Sequence, residues 1–246
     1  MLNIRQSLKF SFFLVFAFLL ISIQKVNAAA LACNANEIAQ TFTFGGGNAW
    51  TGGSSTNNYT VGTAPNAVTL TFTNTQVSTA IAGDPRLRQS GNNANALVIS
   101  GTNSSVGATL STLALSTNRT INKLTYNVYD MDYSASGASN FRDRIVATRN
   151  GGGFPTAMTA VTPANETITL ASGNARATNS ANCADTDTGC NIEIQFNTTG
   201  ISSTSTQFLA AHASGTTAQQ STGFGEYSWC LPRHPTVTIR KVSNGS

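Results

Sequence analysis

Charged side chains are scarce: 14 lysines and arginines face 10 aspartates and glutamates in 246 residues. Three of the basic residues, Arg5, Lys9 and Lys25, lie in the N-terminal export segment described below, so the rest of the chain is close to neutral. With no basic cluster interleaved with aromatics, there is no electrostatic footprint for nucleic acid. Histidine is rarer still: His212 lies in a run of small residues and His234 between two prolines. No acid is placed to orient His212 and there is no G-x-S-x-G elbow, which argues against a Ser–His hydrolase. The four cysteines contain no C-x2-C pair, which argues against zinc. Gly45-Gly46-Gly47 lacks the lysine and following helix of a phosphate loop. No window carries apolar residues at helical spacing between caps.

Long apolar runs are also missing, with one exception at the N-terminus. Phe10 to Ile23 follows the positive head of Arg5 and Lys9 and precedes Val26-Asn27-Ala28, small residues at the positions a signal peptidase reads. That order describes a signal peptide over residues 1–28, and its core is short for a membrane span. The expected mature protein is secreted, extracellular or held at the cell surface, and is not an integral membrane protein after cleavage.

What is present is Thr, Ser, Asn, Gly and Ala around short alternating segments. Phe42/Phe44, Val68/Leu70/Phe72, Leu124/Tyr126/Val128, Ile168/Leu170, Ile192/Ile194/Phe196 and Val237/Ile239 each place apolar side chains two residues apart. Period-two alternation buries one face of a strand and wets the other. Turn-forming stretches separate the segments: Gly83-Asp84-Pro85, Gly91-Asn92-Asn93, Asn150 to Gly153 and Gly173-Asn174. The pattern predicts an all-β, antiparallel β-sandwich, jelly-roll-like, over residues 29–230. Leu231-Pro232-Arg233-His234-Pro235 reads as a stiff linker, and residues 231–246 as linker plus the start of a further β segment.

An exported chain keeps disulfides. Four cysteines allow three pairings, and Cys183–Cys190 is favoured because a turn-rich loop, Ala184 to Gly189, joins them. Cys33 is then left with Cys230. That bridge closes nearly the whole domain and contributes ~4–5 kcal/mol in the chain-entropy model.

Leu124 to Tyr133, followed by Phe141-Arg142-Asp143-Arg144-Ile145-Val146, resembles the centre of a family of exported bacterial β-sandwich domains. In those domains one strand ends in an aspartate-x-aspartate step and a second enters with an aromatic and an aspartate. Asn191 to Phe196 and Phe224 to Cys230 fit the same layout. Pro235 to Gly245 resembles the first strand of prealbumin-like repeat domains of surface proteins and adhesins. In some of these a lysine forms an isopeptide bond, and Lys241 holds that position. The resemblance implies the head domain of a surface-displayed protein and carries no single activity.

The six aspartates fall in groups: Asp130, Asp132 and Asp143; Asp185 and Asp187; and Asp84 alone. Asp130 and Asp132, two apart at a strand end, share a face with side chains roughly 7 Å apart. If the following loop folds back, Asp143 joins them. Three readings are open. The carboxylates pair with Arg142, Arg144 or Arg149, or they hold calcium with loop carbonyls. The third, a glycoside hydrolase pair, needs two acids about 5–9 Å apart across a cleft, which nothing else supplies. Asp185 and Asp187 sit in a loop lacking the later glutamate of an EF-hand. Trp50, in a glycine-rich loop, is the candidate ligand contact. The expected function is a structural or adhesive surface module without catalysis, with surface glycans or cell-surface proteins as partners. A carbohydrate-binding module is the alternative.

Overall fold

The computed structural model describes residues 31–102, 105–135, 141–163, 165–179, 183–211 and 219–235. Among these there is no α-helix; one turn of 3-10 helix covers Leu170–Ser172. Fourteen strands follow in chain order: β1 (Glu37–Phe42), β2 (Thr56–Val61), β3 (Val68–Gln76), β4 (Arg86–Ser90), β5 (Asn93–Thr102), β6 (Thr109–Tyr129) and β7 (Tyr133–Ser134). After them come β8 (Phe141–Arg149), β9 (Ala157–Ala160), β10 (Glu166–Thr169), β11 (Asn174–Ala177), β12 (Ile192–Phe196), β13 (Ile201–Ala210) and β14 (Gln219–Pro232). The predicted signal peptide, and Lys241 with the terminal β segment, lie outside the described residues.

Every strand pair is antiparallel, and the strands form two layers that are continuous through β6. The first layer runs β2–β3–β6–β13–β8–β11–β10. The second runs β4–β5–β14–β6–β12–β9, with β1 alongside the last residues of β14. β6 is 21 residues long. Its first part pairs with β3 and β13, and from Asn122 onward it pairs with β14 and β12. At the corner Lys123 takes a left-handed conformation, φ 50°. There the buried side switches from Leu113, Leu115 and Ile121 to Leu124, Tyr126 and Val128. The sheet thus folds over itself as a half-barrel, giving the all-β sandwich predicted by the alternation.

Alternation accounts for the core. Leu70 and Phe72 of β3, Ile145 and Ala147 of β8 and Phe208 of β13 are fully buried on the first layer. Ile192, Ile194 and Phe196 of β12 and Phe224 and Trp229 of β14 belong to the second layer and join the same core cluster. At one end Phe42, Phe44, Tyr59, Phe72 and Tyr227 form a ring cluster with centroids 4.8–6.3 Å apart. Tilted and edge-on contacts at such distances add to the free energy of burial.

Both predicted disulfides form, Cys33–Cys230 with Cα atoms 5.4 Å apart and Cys183–Cys190 at 6.3 Å. The first ties the segment entering β1 to β14, already its ladder partner: Ala39 lies opposite Cys230. Leu231 and Pro232, read from sequence as the start of a linker, belong to β14. β14 continues through Leu231, fully buried, to Pro232, which lies opposite Glu37. A proline is tolerated at the end of a ladder, where its missing N–H breaks nothing beyond it. Arg233 N–H still donates to the Asn36 carbonyl at 3.0 Å.

Candidate functional site

β6 ends at Tyr129, and Asp130 turns the chain with φ 62°. Three residues on, Tyr133 and Ser134 pair with Arg142 and Phe141, so β7 and the start of β8 form a hairpin. That hairpin sets Asp132 opposite Asp143. Asp143 N–H donates to the Asp132 carbonyl at 3.0 Å, and Asp132 N–H donates to Asp143 Oδ2 at 3.2 Å. The two carboxyl groups thus stand side by side and each perturbs the other's protonation. The chain therefore folds back as anticipated.

The arginine-pairing reading fails on strand geometry. Asp143 points inward with Ile145 and Ala147, fully buried, while Arg142 and Arg144 point to the opposite face. Arg142 stacks on the Tyr133 ring at 4.1 Å, and Arg144 Nε donates to Asn174 Oδ1 at 3.0 Å. Arg149 lies at the far end of β8, about 20 Å along the strand. Among the described residues the one ion pair is Arg86 with Asp84, 3.0 Å apart.

A cap covers the aspartates. The Cys183–Cys190 loop is tied to them by Met131 N–H, which donates to the Cys190 carbonyl at 2.8 Å. Asn191 Oδ1 accepts from Asp130 N–H at 3.4 Å, while its Nδ2 donates to the Gly91 carbonyl at 2.9 Å. Gly91 and Asn92 are the two-residue tip of the β4–β5 hairpin, both with positive φ as a primed turn requires. A Cβ on Gly91 would lie 2.2 Å from Asn191 Oδ1, so only glycine lets the tip sit this close. Asn92 N–H then donates to the Asp185 carbonyl at 2.9 Å. The two aspartate groups, separate in sequence, thus meet at one place. Asp187 does not join them; its Oδ1 accepts from Gly189 N–H at 2.8 Å and shapes the turn.

Burial dominates the electrostatics. Asp130 is pushed up to about 7 by burial, then by the charges of Asp132 and Asp185, with Arg88 of β4 opposing. Asp132 is pushed up to about 6 by burial, against hydrogen bonds from Asp143 and Cys183 that lower it. Asp143 is raised well above the carboxylate range by burial and by Asp132. The Oδ1 atoms of Asp130 and Asp143 are buried without a hydrogen-bond partner.

The calcium reading needs revision in its ligand set. Among the described residues, the one trio of acidic, cysteine or histidine residues whose ligand atoms approach within 4.8 Å is Cys33, Glu37 and Cys230. Those sulfurs are bonded to each other, and Glu37 is occupied by Asn34 N–H at 2.7 Å and Asn122 Nδ2 at 2.6 Å, so it is no metal site. Asp130, Asp132 and Asp143 do not converge three carboxylates on one point. The contact that forms is the Asp132–Asp143 pair, with Asp130 and Asp185 around it.

Trp50 is a correction. Expected as a ring offered to a ligand, it is only 6% exposed and packs edge-on to Phe44, 6.2 Å between centroids. Its glycine-rich loop folds onto the aromatic cluster, and Tyr59 OH closes that loop with a hydrogen bond to the Ala49 carbonyl at 3.0 Å. The contributions of Asp185, Asn191 and Arg88 escaped the sequence reading, since they come from segments remote from Asp130. No protein-family profile, curated protein or solved structure matches the chain significantly.

Proposed function

We propose that this chain is an exported structural or adhesive module that works by presenting its surface, without turnover. The observation that carries the reading is the Cys33–Cys230 bridge, which ties the segment entering β1 to β14. A domain whose first and last strands are clamped in this way suits an oxidising space outside the cell. All four cysteines are used in disulfides. Asp130 and Asp132, the pair with the spacing of glycoside-hydrolase acids, are only 8% and 6% exposed, an arrangement that supports contact over catalysis. The carbohydrate-binding alternative draws no support from Trp50, whose ring is buried.

The test couples the oxidised protein to beads, in chelator, and measures their retention on glycan-coated and cell-surface-protein-coated glass. Soluble polysaccharides are assayed in parallel for new reducing ends. Retention that disappears after disulfide reduction supports the reading. Release of reducing sugar that stops with Asp132→Asn overturns it.

A further inference from the structure

We propose that the Asp132–Asp143 pair binds a calcium ion, with Asp130 and Asp185 supplying further negative charge around it. The acids come from three separate segments: the β6–β7 connection, the inward face of β8 and the disulfide loop. The opposing charge that reaches Asp130 comes from Arg88. The backbone pairing of Asp132 with Asp143 sets two acidic side chains side by side in a buried place, where a cation between them would offset the repulsion of like charges.

The second observation is the set of unused lone pairs. Asp143 is fully buried and its Oδ1 has no partner; Asp130 is 8% exposed and its Oδ1 has none either. Leaving buried carboxylate oxygens unsatisfied is costly, and a strand that aims Asp143 inward beside Ile145 and Ala147 has no structural need of the charge. A hard cation answers that deficit. Calcium accepts irregular sets of oxygen ligands and fills its shell with carbonyls and water, whereas magnesium demands near-ideal octahedral geometry. Two direct carboxylates place the site among weak extracellular ones, with dissociation constants of about 0.1–1 mM. The inference rests on the exported reading only for the source of millimolar calcium.

Calcium chloride is titrated into the chelator-stripped, oxidised protein at pH 7.5, followed by calorimetry and by thermal unfolding, with magnesium chloride in parallel. The expected result is saturable calcium heat and an unfolding midpoint several degrees higher at 10 mM calcium, with a much smaller magnesium response. Asp143→Asn removes both signals. Asp185→Asn, at an exposed position, keeps the fold and weakens binding roughly two- to five-fold through lost charge. Should Asp143→Asn fail to fold, the wild-type protein at pH 5 decides, because protons compete for the pair and shrink the calcium shift. No heat and no shift at 10 mM, a shift equal at both pH values, or one untouched by either variant overturns the proposal. Because bead retention is measured in chelator, failure here leaves the adhesive reading standing.

Discussion

The hydroxyls of Tyr126 and Thr206 meet at 2.7 Å in the buried interior, one from the second-layer part of β6 and the other from β13 of the first layer. The bond is a polar pin between the two layers. Tyr126→Phe leaves the Thr206 hydroxyl stranded and is expected to cost ~1–3 kcal/mol. Adding Thr206→Val removes the stranded group and restores much of the loss. Denaturant unfolding of the two single variants and the double variant measures the coupling; strict additivity would show that the pin contributes nothing.

Cys33→Ser with Cys230→Ser opens a loop with a sequence separation of 197. The expected loss is ~5 kcal/mol, while Cys183→Ser with Cys190→Ser, separation 7, loses about 2. Guanidinium unfolding of the two paired variants ranks them, and the reverse order would contradict the assignment of the long bridge as the main staple.

Trp50→Ala is expected to destabilise by ~3–5 kcal/mol, as for other buried aromatic truncations. Under conditions where the variant is folded, bead retention on glycans stays at the wild-type level. Unchanged stability with lost retention would return Trp50 to a ligand site.

Glu166, at the start of the edge strand β10, is 6% exposed and neither carboxylate oxygen has a partner. Burial pushes its carboxyl up to about 8. An ordinary glutamate in the unfolded chain titrates near ~4.3, so the folded state holds the extra proton between those values. Stability is therefore full below the unfolded value, declines as pH rises towards about 8, and levels off above it. Glu166→Gln should be neutral near pH 4 and stabilising on the order of 2 kcal/mol near pH 9. Urea midpoints at the two pH values test it; a gain at the acid end alone would reverse the sign.

Much of the fold is legible because burial follows alternation so closely. Val68, Leu70 and Phe72, and Ile192, Ile194 and Phe196, are all fully buried where period two places them. β6 was harder to read, since Ser116 to Thr120 looks like a polar turn in sequence. A signal was there: inward positions run 113, 115 and 121, then 124, 126 and 128, and such a phase change marks a strand turning a corner. The same rule places Arg142 and Arg144 opposite Asp143, so the ion-pair reading could have been discarded from sequence. The meeting of Asp185 with Asp130 had no local signal. It depends on where the β4–β5 hairpin and the disulfide loop come to rest, and only the tertiary fold decides that. Trp50 is hard to read because glycines around a tryptophan suggest an open loop, whereas here the ring is buried edge-on against Phe44.

The Cys33–Cys230 bridge also determines how the domain answers to tension. A pull between the chain before Cys33 and the chain after Cys230 is carried by a covalent link between sulfurs, and the strands between them stay out of the load path. Stretched along its own backbone, the oxidised domain is a short inextensible rivet. In the reduced protein the same pull bears directly on the β1–β14 ladder, and drawing out the segment between the two cysteines would lengthen the molecule by several hundred ångströms, at about 3.3 Å per residue.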